Sequence, residues 1–194
     1  MANYFENVFS EYTITGVAFR PAGTQAYVQI PGAGSMSEEY EQRSVTKSVS
    51  NIVVKRIPRS SGSGTLTVLL HVPYELKNTL QGLTAAAEGG FIAGVYGAGG
   101  KMRPPVTEIA VKVEDEDGNV MYKYYPAARR SSFNESVTSE QDTVAEVEMQ
   151  FNLSEDDYRF FRYSALEDDL PTTGEITKDT WMTAVSSAKL QSAG

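Results

Sequence analysis

The stretch that decides the fold runs from residue 106 to residue 153 and reads VTEIAVKVEDEDGNVMYKYYPAARRSSFNESVTSEQDTVAEVEMQFNL. Apolar and polar side chains alternate from Thr107 to Glu114, and they alternate again from Ala145 to Leu153. Successive side chains of a strand point to opposite faces, so this period predicts two strands that each have an apolar and a polar face. Between them, Asp117-Gly118 predicts a tight hairpin turn, because glycine adopts a positive φ at little cost.

Length and charge limit what the rest of the chain can be. The 194 residues predict a single β domain over 1–194, with an N-terminal arm at 1–12 and a C-terminal extension at 167–194. The formal net charge of -8 argues against a surface that holds nucleic acid by neutralising phosphates, and is compatible with a surface that nucleic acid passes without sticking. There is no cysteine, which excludes disulfides and thiolate metal sites.

Outside this stretch, short apolar runs bounded by turn residues predict further strands at 12–20, 25–30, 52–57, 65–72 and 91–96. The flexible segment SSGSG at 60–64 predicts a turn that joins 52–57 and 65–72 into a second hairpin. Residues 33–50 are polar with weak periodicity, which predicts a long polar loop or a loop that runs into a strand at 44–49.

Two segments have the spacing of helices. Residues 73–83 begin with a proline and have Gly82 near their end, which predicts a short central helix. Residues 177–191 predict a C-terminal helix with Trp181, Ala184, Val185 and Ala188 on one face. The predicted fold class is therefore mainly β, a β-sandwich or barrel with one short central α-helix at about 73–83.

Residues with catalytic potential are sparse. His71, the single histidine, lies at the end of a predicted strand, and the sequence has no GxSxG motif whose serine it could activate. Glu146 and Glu148 share a strand face as a glycosidase pair can, but such carboxylates are more typical of a wet surface. The acidic run at 114–117 lacks the spacing of a calcium loop. We expect no enzyme, no cofactor and no metal site.

Two runs of sequence carry a family resemblance. HVPYELKNTLQGL, a glycine-containing connection and then RPPVTEIAVKVEDEDGNV through the strand at 144–153 resemble the major tail protein family of long-tailed bacteriophages. The resemblance covers about residues 66–153. Its matching positions, besides that closing strand, are Pro73, Tyr74, Leu80, Gly82, Pro104, Pro105, Asp117 and Gly118.

The resemblance implies a structural virion protein, a subunit of the tail tube. Such subunits assemble as hexameric rings that stack into a tube, whose channel serves genome ejection. The implied partners are copies of the same chain, the tape-measure and tail-terminator proteins, and phage DNA that passes through without specific binding. The implied location is the tail of the virion, after assembly in the host cytoplasm, with no membrane span.

In a tube subunit, the predicted strands at 106–114 and 144–153 would turn their apolar faces to the helix near 74–83 and their polar faces to the channel. The residues predicted to face the lumen are Glu108, Lys112, Glu114, Glu146 and Glu148. The polar loop is predicted to contact the next ring through Glu38, Glu39, Tyr40, Glu41, Arg43 and Lys47.

Two alternatives remain open at this point. One is a carbohydrate-binding or adhesin-type β-sandwich, whose aromatic platform would be drawn from Tyr122, Tyr124, Tyr125, Tyr158, Phe160, Phe161 and Tyr163. The other is a different tail protein of related fold, such as a tail terminator. Self-assembly separates the first alternative from a tube subunit, since a lectin module binds glycans as a small oligomer.

Overall fold

The computed structural model describes residues 11, 13–31, 33–49, 52–100, 102–131 and 147–191, with backbone alone at 42–49, 52–61 and 87. Within these residues, eight strands form one antiparallel sheet in the order β2-β1-β5-β6-β7-β4-β3, and β8 pairs with β6. The strands are β1 (Thr13–Pro21), β2 (Val28–Ile30), β3 (Ser35–Val49), β4 (Ile52–Leu70), β5 (Val106–Glu114), β6 (Val120–Arg130), β7 (Val147–Ser154) and β8 (Tyr163–Leu166). The mainly β class is confirmed.

The predicted turn at Asp117-Gly118 forms, but it joins β5 to β6. The prediction that it joins the strands at 107–114 and 145–153 is wrong, since β7 pairs with β6 and β4. Gly118 has a φ of 84°, in the region that favours glycine. The Asp115 carboxylate accepts hydrogen bonds from the Asn119 side chain (2.7 Å) and from the backbone amides of Asn119 (2.7 Å) and Asp117 (2.9 Å), which together lower its pKa. Within the acidic run, the Asp115 carboxylate therefore stabilises the turn by accepting hydrogen bonds from residues of that turn.

The central helix is also confirmed, as α1 (Tyr74–Gln81), and its end is defined by Gly82. Gly82 has a left-handed φ of 69°, and its amide donates to the Thr79 carbonyl at 2.9 Å, while the Leu83 amide donates to the Asn78 carbonyl at 3.1 Å. These two bonds satisfy carbonyls that a helix end would otherwise leave unpaired.

The polar segment at 33–50 is the largest departure from prediction, because β3 runs through most of it as an edge strand. Its partner β4 is continuous through residues 60–64, so the predicted turn and the second hairpin are both wrong. Backbone pairing explains this, since a long antiparallel ladder satisfies the peptide groups of Ser- and Gly-rich residues that have no apolar period. Pro58 pairs with Ser44 on this ladder, and proline is tolerated where a strand is paired on one side.

Two further predictions are corrected. Residues 91–96 are not a strand; this connection contains the short helix α2 (Ala86–Gly89) and a single bridge between Thr84 and Gly97. The C-terminal helix is reduced to α3 (Trp181–Ala184) and a 3₁₀ turn at Ser187–Leu190, because Val185 adopts an extended conformation between them.

The main core lies on one face of the sheet. It joins apolar side chains from β1, β4, β5 and β7 to Leu76 and Leu80 of α1, as predicted for the faces of β5 and β7. Its strand members include Val17, Phe19, Leu66, Val68, Ile109, Val111, Val113, Met149, Phe151 and Leu153.

A second core lies on the opposite face, over β1, β5 and β6. Ala18, Ala110, Tyr122 and Tyr124 contribute the strand side of this core, and Ile176, Trp181 and Val185 cover them from the C-terminal segment. Trp181 is 1% exposed and its ring centroid lies 5.6 Å from that of Tyr122. The C-terminal segment therefore packs on the sheet and closes this part of its second face.

Gly82 and Gly90 provide a matched test of the helix end, because both have a φ of 69°. A Cβ on Gly82 would lie 2.3 Å from the carbonyl carbon of Arg103, whereas a Cβ on Gly90 would meet nothing within 4 Å. We expect Gly90→Ala to lower the free energy of unfolding by about 1 kcal/mol through backbone strain, and Gly82→Ala by at least about 3 kcal/mol through strain and overpacking. Urea denaturation measures both, and equal losses would contradict the packing of Gly82 against residues 103–104.

Candidate assembly surface

The second face of the sheet is open where the C-terminal segment does not reach. On β3, β4 and β7 the register aligns Ser37 with Thr67 and Thr67 with Gln150, and the same alternation places their neighbours two residues away on this face. We call it the polar sheet face; its side chains are all at least partly exposed, and all but Leu69 are polar: Ser35, Ser37, Glu39, Thr65, Thr67, Leu69, Glu148, Gln150 and Asn152.

The residues predicted to face a lumen do not form one open wall. Glu148 is exposed on the polar sheet face, whereas Glu146 lies outside the described residues. Lys112 and Glu114 are half-buried on β5, on the same side as Ala110, which is fully buried under the C-terminal segment. Whether Lys112, Glu114 and Glu148 line a channel stays a prediction.

Glu108 has several partners within the subunit, and because its side chain is still 28% exposed, its predicted place in a channel wall stays a prediction. Its carboxylate accepts hydrogen bonds from the hydroxyls of Tyr27 and Tyr124, both at 2.9 Å, and from the guanidinium of Arg20. Tyr27 also donates to the Val185 carbonyl at 2.8 Å, so the same group of side chains holds the C-terminal segment. Burial, followed by the charge of Glu108, raises the pKa of both tyrosines and keeps them protonated as donors. Glu108 thus acts within the subunit.

The β3–β4 hairpin extends well past the rest of the sheet. β3 and β4 pair from Ser35 and Leu69 out to Val49 and Ile52, but β4 pairs with β7 only from Ser63 to Leu70. Beyond that point, residues 42–49 and 52–60 form a two-stranded ribbon that no other described strand joins. We call this ribbon the arm. Of the predicted ring-contact residues, Arg43 and Lys47 lie on the arm, and Glu41 lies at its base.

Glu38 is not on a free loop surface as predicted; its side chain is only 10% exposed. Its carboxylate accepts hydrogen bonds from Lys123 Nζ and Arg162 Nη1, both at 2.9 Å, and from the hydroxyls of Tyr40 and Tyr125. Burial opposes ionisation, but the hydrogen bonds from Lys123 and Tyr125 and the positive charges of Lys123 and Arg162 outweigh it and lower the pKa of Glu38. Glu38 is therefore an internal anchor of β3.

Sequence reasoning missed this role, although a weak signal existed. Met36, Glu38 and Tyr40 occupy alternate positions, and Met36 and Tyr40 pack against the main core. Apolar residues two positions before and two positions after a glutamate indicate that all three side chains lie on the same strand face. That face packs on the core, so the glutamate side chain points toward the core as well. This pattern does not indicate the partner, since Lys123 is 85 residues away along the chain.

A loop at 156–162 approaches the base of the arm. The Asp156 carboxylate accepts hydrogen bonds from the amides of Tyr158 and Phe160, both at 3.0 Å, and from the Tyr163 hydroxyl at 2.7 Å. This loop leaves Tyr158 and Phe160 exposed at 43% and 50%. Its inner side places the Phe161 ring 5.0 Å from that of Tyr40.

The aromatic residues predicted for a sugar-binding platform are divided between the core and the surface. Tyr122, Tyr124 and Tyr125 are 3%, 1% and 0% exposed, so they cannot stack on a ligand in solvent. Tyr122 donates to Glu167 at 3.1 Å, and Tyr125 donates to Glu38. The seven aromatic residues therefore do not make one exposed platform.

The described residues contain no group of three or more histidine, cysteine, aspartate or glutamate side chains that would hold a metal ion. His71 is exposed just past the end of β4. Among the helices that the structure describes, none has the length and apolar character to span a bilayer.

No protein-family model and no curated protein sequence matches the chain. Two solved structures of the anti-feeding prophage are similar to it. A chain of the tube-terminating cap has 13% identity and a TM-score of 0.47, with 86% of this chain and 99% of that chain covered. A chain of the six-fold symmetrised baseplate has 10% identity and a TM-score of 0.43, with 82% and 96% covered.

Lys123 and Lys178 test how much the buried anchor contributes to stability. Lys123 is 5% exposed and also contacts Glu11 at 2.5 Å, whereas Lys178 is 57% exposed and lies 3.5 Å from Glu167. We expect Lys123→Ala to lower the free energy of unfolding by about 3 kcal/mol, because it leaves Glu38 buried with one partner fewer. The matched change Lys178→Ala is expected to cost less than about 0.5 kcal/mol. Chemical denaturation of the two variants measures the difference, and a near-neutral Lys123→Ala would show that the anchor is not needed for stability.

Proposed function

We propose that this chain is a structural, non-enzymatic subunit of the tail tube of a phage-like particle, which joins copies of itself into stacked hexameric rings around a channel. The observation that carries the proposal is the arm, a two-stranded ribbon that extends past the sheet shared by the other strands. The sequence resemblance over residues 66–153 supports the same conclusion.

The arm is suited to contact with another chain. An isolated two-stranded ribbon is only marginally stable in water, and its outer edges present unpaired backbone amides and carbonyls. Pairing or packing against a neighbouring subunit satisfies those groups and adds buried surface. We therefore assign the arm, including Arg43 and Lys47, to contacts between one ring and the next.

The two edges of the sheet give each subunit two different surfaces for contacts within a ring. β3 (15 residues) forms one edge of the sheet order and β2 (three residues) forms the other. In the proposed ring, one surface of a subunit meets a different surface of the next, and such a head-to-tail contact repeats until the ring closes. Six copies joined in this way would form the proposed ring.

The polar sheet face is the wall that we propose for the channel, in place of the partly covered face of β5. Its charged members, Glu39 and Glu148, are acidic, and the remaining positions are hydroxyl or amide side chains and Leu69. Arg129, which pairs with Asn152 at the margin of this face, is the basic residue nearest to it by register. A wall of this composition neutralises few phosphates, so DNA moves along it without being held.

Shortening the arm tests its role in stacking. We expect the chain to form rings and tubes of six-fold symmetry as its concentration rises, visible by negative-stain electron microscopy. Replacing residues 42–60 by an Asn-Gly turn is expected to leave the domain folded, because β4 pairs with β7 only at residues 63–70, and to abolish tubes. Tubes of normal length from the shortened chain would contradict the role of the arm. A full-length chain that stays monomeric at high concentration would contradict the tube itself.

The charge of the polar sheet face makes a second test. In assembled tubes, Glu39→Lys with Glu148→Lys is expected to retain short DNA inside the channel at low salt, where lysines hold phosphate most strongly. A matched control, Glu116→Lys with Glu175→Lys, makes the same charge change at exposed positions away from this face. DNA held inside is protected from nuclease and DNA held outside is digested. Protection with the control variant, or digestion with the first, would place the polar sheet face outside the channel.

A further inference from the structure

The base of the arm is irregular on both strands. Tyr40 pairs with Gly64 and Gln42 pairs with Ser60, so one residue of β3 lies opposite three residues of β4. Within those three, Gly62 has a φ of 75°. Extra residues on one strand of an antiparallel pair bend and twist it locally. The arm therefore leaves the sheet through a bend at residues 41 and 61–63.

Backbone and ring packing at the bend leave little room beside it. A Cβ on Gly64 would lie 2.6 Å from the Glu39 carbonyl oxygen and 2.9 Å from Cδ1 of Tyr40, and real Cβ contacts are not that short. A Cβ on Gly62 would meet Oε1 of Glu155 at 2.3 Å. Glycine at position 64 thus allows Tyr40 of β3 to approach β4 closely. Glycine at position 62 does the same for Glu155, the residue that follows β7.

Side chains of the loop at 156–162 contact Tyr40, the last residue of β3 that is paired before the bend. The Phe161 ring centroid lies 5.0 Å from that of Tyr40, and the Arg162 guanidinium carbon lies 5.5 Å from it. Arg162 Nη1 donates to the Tyr40 hydroxyl at 3.0 Å and to Glu38 at 2.9 Å. The Phe161 ring and the Arg162 guanidinium therefore both contact the Tyr40 side chain beside the bend.

The loop is itself fixed at both ends. β7 ends with Ser154 paired to Ser63, directly beside the irregular part of β4, and β8 begins at Tyr163, which pairs with Tyr124. Between these ends, Asp156 holds the amides of Tyr158 and Phe160. A short loop with fixed ends and an internal carboxylate acceptor positions Phe161 and Arg162 with few alternatives.

We propose that the loop at 156–162 is a clamp that sets the angle at which the arm leaves the sheet, through the contacts of Phe161 and Arg162 with Tyr40. Within the bend, Ser63 Oγ donates to a Glu41 carboxylate oxygen at 2.9 Å, in an exposed contact between the two strands of the ribbon itself. The contacts of Phe161 and Arg162 add a restraint from an element that is fixed to the sheet. The clamp selects one angle before any second subunit is present. This inference goes beyond the proposed function, since it concerns a single chain.

The absence of cysteine makes the angle directly measurable. Spin labels on Thr46→Cys in the arm and Glu116→Cys in the β5–β6 turn report the distance between arm and sheet by pulsed electron paramagnetic resonance. Dilution of the labelled chain with excess unlabelled chain restricts the signal to distances within one subunit. We expect a narrow distance distribution for the chain with no other change.

The test variant combines Phe161→Ala with Arg162→Ala, and the matched control combines Tyr158→Ala with Arg159→Gly in the same loop. Tyr158 and Arg159 are exposed, and Gly suits position 159 because Arg159 has a φ of 67°. We expect the test variant to broaden the distribution and shift its mean, and the control to leave it narrow. An unchanged distribution in the test variant, or equal broadening in both variants, would overturn the clamp.

Thermal unfolding verifies that each variant is folded. If the test variant does not fold, Phe161→Leu with Arg162→Lys retains an apolar group and a charge while removing the ring pair and the planar cation over Tyr40. The same broadening is then required, and a narrow distribution overturns the proposal. Because the measurement uses unassembled subunits, a failure of tube formation leaves its outcome unaffected.

Discussion

The contact between Glu38 and Lys123 joins two strands that are not neighbours in the sheet, and much of the architecture depends on it. β4 and β7 lie between β3 and β6 in the strand order, yet the Glu38 carboxylate and Lys123 Nζ are 2.9 Å apart. This distance requires the sheet to curl toward its main core. The stacked rings of Phe19 on β1 and Phe151 on β7, 5.9 Å apart, require the same curvature, since β5 and β6 lie between them. The ion pair between Glu38 and Lys123 and the stacked pair of Phe19 and Phe151 thus each join non-adjacent strands over the main core.

The C-terminal segment divides the second face of the sheet into a covered region and an open region. Over β1, β5 and β6, the C-terminal segment supplies Trp181 and Val185, and the Val185 carbonyl accepts hydrogen bonds from Arg20 and Tyr27. Over β3, β4 and β7, the polar sheet face stays open to solvent. Burying an aromatic side chain and satisfying a buried carbonyl stabilise the first region within one subunit. The second region has no such cover in the described chain and is the surface that we propose for the channel.

The arm and the buried anchor are parts of one strand pair. Met36, Glu38 and Tyr40 fasten the first part of β3 to the main core and to its charged network, whereas residues 42–49 continue on the far side of the bend. Rigid attachment at one end and unpaired edges at the other suit an element that reaches a neighbouring subunit, because a fixed base lowers the entropy lost on contact. Tyr40 is the residue at which the two parts meet.

Several features of this protein could be predicted from the sequence alone because their causes lie within a few residues. Alternating side chains identify β5 and β7, Asp117-Gly118 identifies the turn that follows β5, and a leading proline with Gly82 bounds α1. The mainly β class followed from the same local signals. Each depends on backbone preference and side-chain period, which a neighbouring stretch of sequence determines.

Other features were decided only by the tertiary structure. The ladder of β3 with β4 formed through polar and Ser-Gly residues that have no strand period, because pairing along a long partner supplied the hydrogen bonds. The partners of Glu108 and Glu38 include Tyr27 and Lys123, which lie 81 and 85 residues away along the chain and which no local pattern could predict. The polar face of β5 is partly covered because the C-terminal segment packs over Ala110, whereas Glu148 on β7 stays exposed. A strand pattern shows that two faces differ, but which face stays exposed depends on a distant segment that packs there.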